Sequence, residues 1–577
     1  MESDIRHMKW WGWGYEDVTF DDSNKPELWP YLKKVLDIDE IRWDKPIGFN
    51  DINLPEQKTS DTFLTALKPK LDKDQIKDDK KSRLIHAAGK SFRDLWLIRH
   101  GKIKFAPDYV IFPKNEQEVV AIMHAAKEHG VVLVPFGGGS NIAGCLEPKD
   151  RKNRTIVSLD MCRMNRVIEV DQYSLIARIQ PGVYGQHLEE QLAEHGVTLG
   201  HFPDSFLHST LGGWVATRSA GMQSDIYGKI EDMVISLRMV TPSGTIITRT
   251  VPKSSNGIDI RHLCIGSEGI LGVITEVVIQ VHKKAEKEDW YGWLFPDFQS
   301  GIEAIHECHR YNCMPTVTRL NDPKKTALSF AFKHPKTGTK AILANAFKWY
   351  IGNIKKINFN QCCLMVVKYE GTTKEFNQVK KRVSSIYKKH RGVCLGAEPG
   401  RSFAKVKFDF PHLRDFTMDR SIMADVSETA TTWDNLSTMH QNGLTNIEQA
   451  IKDTGVNGWV GCHLSHSYHS GASLYFTFGC LQHEGREIEQ YLYIKKAAED
   501  AFINNGGTLS HHHAVGTEHL PWVEQDLSPT GLKAVKALKD GLDPSGIMNP
   551  GKIIPSNKPL EDWGLSKEAI ENFKRHL

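Results

Sequence analysis

The stretch VVLVPFGGGSN, residues 131–141, joins an apolar run to three consecutive glycines. The apolar run is typical of a buried strand. Glycine adopts positive φ without strain, and the backbone N–H groups of such a turn can converge on a pyrophosphate. No Lys-Ser or Lys-Thr follows, as it would in a P-loop, and the spacing is not Gly-x-Gly-x-x-Gly. Taken alone, the stretch is compatible with an anion-binding loop or with an ordinary tight turn.

Two further glycine-rich stretches follow it. PDSFLHSTLGGWVATRSAG, residues 203–221, carries a Gly-Gly pair among small and hydroxyl side chains, and GSEGILGVITEV, residues 266–277, turns into another predicted strand. Small residues let a ligand lie directly against the backbone. Three such loops in one mixed α/β region fit an extended dinucleotide that lies across the fold.

The pattern of strands and helices around these loops predicts the domain organisation. A chain of 577 residues is too long for one ordinary core. From residue 104 short strand signals alternate with amphipathic helices, such as EQEVVAIMHAAKEHG, which should end at Gly130. We predict a helical segment at 1–103, an α/β domain at 104–284, a second α/β domain at 285–555 and a tail at 556–577.

The composition excludes several classes of protein. The formal charge is +3, with 40% hydrophobic and 25% charged residues, so nucleic-acid binding is not indicated. The ten cysteines show no spacing typical of a disulfide framework or a redox motif, which favours a reducing compartment. No apolar run reaches about 18 residues, so we predict neither a signal peptide nor a membrane-spanning helix.

One window of the second domain is unusually basic. Residues 323–369 contain nine lysines and no Asp, Glu or Arg. Aromatic and apolar side chains lie between the lysines, namely Phe330, Phe332, Phe347, Trp349, Tyr350 and Ile351. The window is either a solvated basic loop or a segment that contacts anionic lipid, with its aromatic residues at the level of the headgroups.

Three adjacent histidines, His511, His512 and His513, stand in TLSHHHAVG. Consecutive side chains of a strand alternate faces, and those of a helix lie about 100° apart, so the three cannot all face one ion. The sequence also contains no Cys-x-x-Cys or His-Glu-x-x-His spacing, and we therefore predict no metal site. An acid/base cluster and a polar surface turn both remain possible.

The three glycine-rich loops resemble, in order and spacing, the flavin-binding loops of the vanillyl-alcohol oxidase type of FAD protein, and DPSGIMNPGKII near the C-terminus resembles that family's closing segment. The resemblance implies an α+β fold with a two-part FAD-binding domain, an α/β cap domain that holds substrate, and a helical N-terminal segment. Some members attach flavin covalently through a histidine of the first loop. Residues 136–141 contain none, so we expect non-covalent FAD. The residues implied to contact FAD are Pro135, Phe136, Gly137, Gly138, Gly139, Ser140, Asn141, Asp204, Ser205, Ser209, Thr210, Gly212, Gly213, Thr217, Arg218, Ser219, Ala220, Glu268, Gly269, Ile270, Gly272, Val273 and Ile274.

Within that group the chain is similar to the alkyldihydroxyacetonephosphate synthase family over residues 60–555. The similarity includes GHFPDS at 200–205, DIYGKIED at 225–232, HLRD at 412–415, SYHSGASLYFTF at 467–478 and SHHHAVG at 510–516. It implies exchange of the acyl group of acyl-dihydroxyacetone phosphate for a long-chain fatty alcohol without net oxidation. In that reaction FAD holds the dihydroxyacetone phosphate carbon through N5, as a covalent nucleophile.

The same resemblance implies the site residues. Tyr468 is expected to act as acid/base together with His511, His512 and His513. Arg414 and Arg319 are expected to bind the substrate phosphate, with a structural salt bridge as the competing interpretation for each. His201 either contacts substrate or holds its loop. Ala514 stands where the synthase pattern has Gly.

Two other functions compete with this hypothesis. One is an FAD-linked 2-hydroxy-acid dehydrogenase on the same fold, which tends to carry Glu-His-Gly where this chain has His512, His513 and Ala514. The other is a flavin- or lipid-binding protein without catalysis.

Because both long-chain substrates reside in bilayers, we expect peripheral membrane contact. We also expect a homodimer. Arg575, His576 and Leu577 match a peroxisomal import signal except at Arg575, so we expect a peroxisomal protein on the lumenal face of the membrane.

Overall fold

The structure is a computed structural model that describes residues 7–23, 25–150, 152–332, 345–346 and 348–574. Its strands form three main sheets and one two-stranded pair. The C-terminal tripeptide and part of the lysine-rich window, including Phe347, lie outside the described residues. Among the helices that are described, none combines the length and apolar content needed to cross a bilayer.

The first sheet carries the first glycine-rich loop. Its strands lie in the order Ile76–Lys77, Tyr109–Ile111, Ile156–Asp160 and Val132–Phe136, and the last three run parallel. Helix Glu116–His129 covers it, capped by the Asn115 side chain and closed at Gly130 with φ 66°. This confirms the predicted helix end. The parallel strands deliver the loop at their carboxyl edge, where ligands of such sheets bind.

The second sheet is antiparallel, in the order Val167–Asp171, Ile176–Ile179, Val273–Gln280, Val234–Thr241 and Gly244–Ile247. Strands Val197–Thr198 and His282–Lys283 form the two-stranded pair. The short helices of this region are Gly185–Ala193, Leu211–Thr217, Ser224–Tyr227, Ile230–Met233 and Ile260–Cys264. The second and third glycine-rich loops lead into helix Leu211–Thr217 and strand Val273–Gln280.

The cap is built on a seven-stranded antiparallel sheet. The order is Val393–Gly396, Lys287–Phe295, Cys363–Gly371, Val317–Asn321, Gly458–Ser467, Gly471–Leu481 and Ile422–Thr432. Its helices are Phe298–Arg310, Pro323–Ala331, Thr373–Lys389, Glu398–Val406, Phe410–Met418, Leu436–Asp453 and Glu487–Asn504. The large core between the sheet and these helices also takes in Trp13 from the N-terminal segment.

The two ends of the chain depart from the predicted domain boundaries. Helix Val523–Leu542 packs on the core of the second sheet, and Ile547 and Met548 join the core of the first. The N–H of Leu133 donates to the carbonyl of Ile547 at 2.9 Å. Strand Ile76–Lys77 extends the first sheet from the N-terminal side. Parts of the predicted segments 1–103 and 285–555 therefore pack with the first α/β domain.

Further α-helices lie near the two ends of the described part of the chain. They are Leu28–Leu36, Asp61–Leu67, Lys80–Ile85 and Phe92–Arg99 near the N-terminus, and Pro559–Trp563 and Lys567–Lys574 near the C-terminus.

Candidate active site

A cavity of about 2100 Å³ lies between the glycine-rich loops and the cap sheet. It exceeds the roughly 300–1,000 Å³ of ordinary small-molecule sites, so it has room for a dinucleotide and a second ligand. Twenty of the residues predicted to contact FAD line it: Pro135, Phe136, Gly137, Gly138, Gly139, Ser140, Asn141, Asp204, Ser205, Ser209, Thr210, Gly212, Gly213, Thr217, Ser219, Glu268, Gly269, Gly272, Val273 and Ile274. The three loops thus converge on one space.

The first loop presents free backbone donors to this cavity. Among the described residues, the N–H groups of residues 138–141 donate no hydrogen bond to another part of the chain. Gly138 passes so close to the second loop that an added Cβ would lie 2.0 Å from the carbonyl oxygen of His208. Unpaired backbone donors in a concave turn are the donor set that a pyrophosphate needs, so these residues fit FAD.

Glu268 ties the third loop to the histidine segment. Its carboxylate accepts hydrogen bonds from the N–H groups of Val515 and Gly516, each at 2.7 Å, and from the thiol of Cys145 at 3.2 Å. Burial raises the pKa of this carboxyl above its ordinary value. Glu268 therefore clamps the loops around the cavity as well as lining it.

Three residues predicted to contact FAD lie outside the cavity lining. Arg218 points away and pairs with Glu231 at 3.8 Å. Ile270 is buried in the core of the second sheet, and Ala220 lines a small separate cavity. Arg218 ends its helix in the left-handed region, with φ 52°.

A row of polar residues crosses the cap sheet beneath the cavity. In the register of the strands His463 pairs with Tyr475, and Tyr475 pairs with Glu428. Directly opposed residues of an antiparallel sheet share a face, so these three side chains stand side by side. The row thus consists of an imidazole, a phenol and a carboxylate, with the carboxylate nearest to the histidine segment.

Glu428 shapes the histidine segment. Its Oε1 accepts the N–H groups of His511, His512 and His513 at 2.8, 2.7 and 3.0 Å, and the hydroxyl of Ser510 at 3.0 Å. Burial alone would raise the pKa of the Glu428 carboxyl, but the neighbouring imidazoles hold it well below its ordinary value. Three amide N–H groups that donate to one oxygen also favour the carboxylate over the carboxylic acid, and so they lower the pKa as well. No local sequence signal marked Glu428, because it lies some eighty residues before the histidines and meets them only through the sheet.

The three histidines have different environments. His512 and His513 line the cavity, whereas His511 does not. Nε2 of His511 lies 2.7 Å from the hydroxyl of Tyr468, and its Nδ1 lies 3.0 Å from Nδ1 of His512. Burial holds the pKa values of His511 and His513 well below 6.5, so both imidazoles are neutral near pH 7. The different faces expected of adjacent side chains are thus present. The three histidine side chains are at most 14% exposed, which argues against a polar surface turn.

Tyr475, rather than Tyr468, reaches the cavity. The Tyr468 side chain lies outside the lining, and its hydroxyl is hydrogen-bonded to His511, which lies outside the lining as well. Tyr475 lines it, with its ring centroid 5.3 Å from that of His513 and 6.1 Å from that of His512. Burial raises the pKa of the Tyr475 hydroxyl above 10, so the phenol keeps its proton. The period-two alternation of strand Gly471–Leu481, which also brings Thr477 into the lining, was the signal for Tyr475.

The two predicted arginines both line the cavity but differ in their pairing. Arg414 forms an ion pair with Asp425 at 2.6 Å and also donates to the carbonyl of Lys90. Arg319 packs its guanidinium against the rings of Phe403 and Phe410, with centroid distances of 5.4 and 5.8 Å. The salt-bridge interpretation therefore describes Arg414. Arg319 has no carboxylate oxygen within 4.0 Å among the described residues, and Asp204 is the carboxylate that acts on its charge.

His201 braces its loop and lies outside the lining. It is fully buried against Trp214, and its Nε2 lies 3.2 Å from the hydroxyl of Ser219. Burial lowers its pKa to about 3, so it stays neutral. Of its two expected roles, the structure supports the loop-holding one.

Glu428, His511 and His512 bring three ligand-type atoms within 4.8 Å of one another. Nδ1 of His512 lies 3.2 Å from Oε2 of Glu428, and that oxygen accepts no hydrogen bond from the described residues. The cluster has the atom types of a metal site. The sequence-based prediction that the protein holds no metal stays a prediction.

The part of the cavity that the cap lines is rich in apolar side chains. Its wall includes Leu328, Phe330, Phe332, Ile351, Phe359, Leu364, Val366, Leu395 and Val406. Several of these belong to the lysine-rich window, whose described part also lines the cavity at Asn345 and Lys348. The apolar end therefore extends toward a basic, aromatic surface, where Trp349 is 61% exposed.

Comparisons with known proteins agree with this architecture. Residues 107–250 match the family model described as FAD binding domain, and residues 284–553 match the C-terminal domain of FAD linked oxidases. Alkyldihydroxyacetonephosphate synthase of Dictyostelium discoideum is 40% identical, over 92% of this chain and 88% of its own length. A solved alkyldihydroxyacetonephosphate synthase structure superposes with a TM-score of 0.82 at 36% identity, covering 95% of this chain and 98% of the other.

A more distant structure shows the fold alone. p-Cresol methylhydroxylase superposes with a TM-score of 0.64 at 14% identity, over 85% of this chain and 95% of the other. The expected two-domain FAD-binding fold of the vanillyl-alcohol oxidase type is thereby confirmed, and FAD is the cofactor. The chain belongs to the alkyldihydroxyacetonephosphate synthase family of FAD-dependent enzymes.

Proposed function

We propose that this protein exchanges the acyl chain of acyl-dihydroxyacetone phosphate for a long-chain fatty alcohol, giving alkyl-dihydroxyacetone phosphate and a fatty acid without net redox change. The observation that carries the proposal is the set of side chains that line the large cavity. The FAD loops, His513 and Tyr475, and the cations Arg319 and Lys325 line one part of it, and aromatic and aliphatic side chains line another. A phosphorylated head and a long alkyl chain on one substrate match that division.

The apolar end suits the alkyl chains. Each methylene removed from water contributes about 0.8 kcal/mol, so burial of a long chain supplies most of the binding free energy. Most of the cavity-lining side chains from Leu328 to Val406 are aromatic or aliphatic and offer no hydrogen-bonding group to the chain. Because a short acid buries much less apolar surface there, this wall favours long-chain substrates over short acids.

FAD would be held by the backbone donors of residues 138–141 and by the second and third loops, without a covalent bond, because the first loop contains no histidine. When bound, it supplies a nucleophilic nitrogen and an electron sink to the carbon that exchanges its oxygen substituent. The chain itself supplies orientation, exclusion of water and proton transfer.

Proton transfer falls to the residues above the polar row of the cap sheet. Neutral His513 can accept a proton, because burial holds its pKa well below 6.5. Tyr475 can donate one, because burial keeps its phenol protonated. The two rings are neighbours on the cavity wall. A proton that His513 takes from the carbon beside the ketone is replaced there by the phenolic proton of Tyr475, and transfer of the proton from His513 to the Tyr475 phenolate restores both groups.

Peripheral membrane contact, a homodimer and a peroxisomal location complete the proposal. The described part of the lysine-rich window supports membrane contact, since Lys348, Lys355 and Lys356 accompany exposed Trp349 and Ile354. Long-chain substrates would enter from the bilayer into the apolar end of the cavity. The C-terminal tripeptide that suggests peroxisomal import lies outside the described residues.

An isotope experiment tests the exchange reaction. Purified protein with FAD would receive palmitoyl-dihydroxyacetone phosphate and hexadecanol labelled with ¹⁸O. We expect the label in the ether oxygen of the alkyl product, because the bond between the dihydroxyacetone carbon and the ester oxygen is the one that breaks. Recovery of an unlabelled ether, or of an ester of hexadecanol, would contradict the proposal.

A second candidate function, FAD-linked oxidation of a 2-hydroxy acid, is favoured by one observation: the Glu428, His511 and His512 cluster has the atom types of a metal site. Such an enzyme uses a bound cation to hold the substrate hydroxy acid. Metal analysis of the purified protein, with flavin bleaching by lactate or glycolate, separates the two functions. Stoichiometric metal together with bleaching would support oxidation over exchange.

A further inference from the structure

Lys325 is a second cation at the polar end of the cavity. It lies in the first turn of helix Pro323–Ala331, and its side chain lines the cavity together with Arg319. Lys325 Nζ donates to Nδ1 of His463 at 2.8 Å and to the hydroxyl of Thr477 at 2.7 Å. Nη2 of Arg319 lies 3.5 Å from the same Nδ1. Two cations therefore converge on one neutral imidazole.

Neither cation has a carboxylate oxygen within 4.0 Å among the described residues. Asp322 is near, but its carboxylate accepts the N–H groups of Lys325 and Cys462 and caps the helix. Arg414, by contrast, is neutralised by Asp425. Uncompensated charge in a partly dry site is costly, and it persists where a ligand supplies the opposite charge.

We propose that Lys325 is a substrate-binding residue that, with Arg319, forms the subsite for the phosphate group of the substrate. This assignment rests on the proposed function and refines it. Arg319 offers a planar fork for two phosphate oxygens, and Lys325 offers a point charge from the neighbouring helix. His463 and Thr477 hold the ammonium toward the cavity. Arg414 supports the fold of the site through Asp425 and is not the principal phosphate ligand.

The charge state of Lys325 gives the subsite a pH dependence. Burial, followed by the charge of Arg319, lowers the pKa of Lys325 to about 7. The charged and titratable groups that face it are Arg319, His463, Cys462, Asp322, Asp204 and Tyr475. A bound dianion favours the ammonium, so the KM for the phosphorylated substrate should rise above pH 7, by up to about tenfold per pH unit. In Lys325→Arg the side chain stays charged, and that rise should disappear.

Steady-state kinetics of Lys325→Met test the subsite. We expect the KM for palmitoyl-dihydroxyacetone phosphate to rise about 10- to 100-fold, while the KM for the phosphate-free palmitoyl-dihydroxyacetone changes less than about twofold. Lys324→Met is the matched control, because Lys324 is exposed and pairs with Glu448. An equal rise for both substrates, or no rise for the phosphorylated one, would overturn the assignment.

A binding measurement separates the subsite from the overall reaction. Glycerol 3-phosphate would be titrated into the FAD-loaded protein by calorimetry. We expect binding to wild type and Lys324→Met, and at least about tenfold weaker binding to Lys325→Met. That pattern without any ether product would sink the proposed function and leave the anion subsite standing. Ether product together with equal binding by Lys325→Met, or no binding by wild type, would overturn the subsite.

Discussion

At the scale of single residues, the proposed proton transfer depends on Tyr475. Tyr475 and Tyr468 both stand in the stretch SYHSGASLYFTF, and the sequence resemblance led to the choice of Tyr468. The structure places Tyr475 on the cavity wall and Tyr468 behind His511. The choice could not be made from the local pattern alone, because strand register decides which side chain faces the cavity.

Tyr475→Phe should therefore lower kcat by about 10²- to 10⁴-fold, since it removes the phenolic proton and leaves the ring packing intact. FAD content and melting temperature should stay near the wild-type values. Tyr468→Phe, measured in parallel, should lower kcat by less than about tenfold. A larger loss in Tyr468→Phe than in Tyr475→Phe would return the acid/base role to Tyr468.

Ala514 gives a stability prediction. It adopts φ 79°, in the left-handed region where a Cβ costs about 1 kcal/mol or more and glycine costs none. Ala514→Gly should raise the free energy of unfolding by about 1 kcal/mol, measured by denaturant titration. The matched control is Ala193→Gly at the exposed end of helix Gly185–Ala193, which should lose about 0.5–1 kcal/mol. Destabilisation by both substitutions would show that Ala514 is not strained.

At the scale of elements, the histidine segment depends on a strand that is distant in sequence. Glu428 of strand Ile422–Thr432 holds three successive amides of the segment. The family resemblance implied an active-site role for the histidines, but nothing in the sequence identified the carboxylate that orients them. Only the pairing of strands Ile422–Thr432 and Gly471–Leu481 brings Glu428 beside Tyr475.

Glu428→Gln should lower the free energy of unfolding by about 1.5–3 kcal/mol at pH 7, because three amides lose a charged acceptor. The folded-state pKa lies well below the ordinary 4.5, so the carboxylate contributes stability that is present above pH 4.5 and is lost as pH falls further. The difference between wild type and Glu428→Gln should thus be constant from pH 7 to 5 and shrink below pH 4.5. Glu484→Gln, in an exposed pair with Arg42, is the control and should change little. A difference that already shrinks between pH 7 and 5 would contradict this cause.

The described end of the lysine-rich window carries the membrane proposal. Reversal of Lys348, Lys355 and Lys356 to Glu should weaken binding to anionic liposomes at low salt, since each basic residue near the surface contributes about 1 kcal/mol. The matched control reverses Lys68, Lys70 and Lys73 to Glu. These lysines are also exposed and lie outside the lysine-rich window, and their reversal changes the net charge equally. Equal loss in both triple variants would indicate a net-charge effect, and unchanged binding in the first would remove the segment from the membrane contact.

At the scale of the whole molecule, the sequence predicts the flavin-binding half best. Its loops are continuous stretches of sequence, and close contacts in the loops require their glycines. One such contact is the close approach of Gly138 to the His208 carbonyl. The cap site is assembled from strands Val317–Asn321, Gly458–Ser467, Gly471–Leu481 and Ile422–Thr432, whose order in the sheet differs from their order in the chain. Lys325 and Glu428 were missed for that reason, and so was the return of residues 547–548 to the first sheet.

The central claim is that the protein exchanges an acyl chain for an alcohol without net oxidation. The most direct test adds palmitoyl-dihydroxyacetone phosphate and then hexadecanol to the FAD-loaded protein, without oxygen or any electron acceptor, while the flavin spectrum is recorded. We predict ether product and palmitate in equal amounts over many turnovers, with the flavin oxidised at the end. Flavin that stays reduced after a single turnover, or bleaching by a 2-hydroxy acid with no ether formed, would contradict the claim.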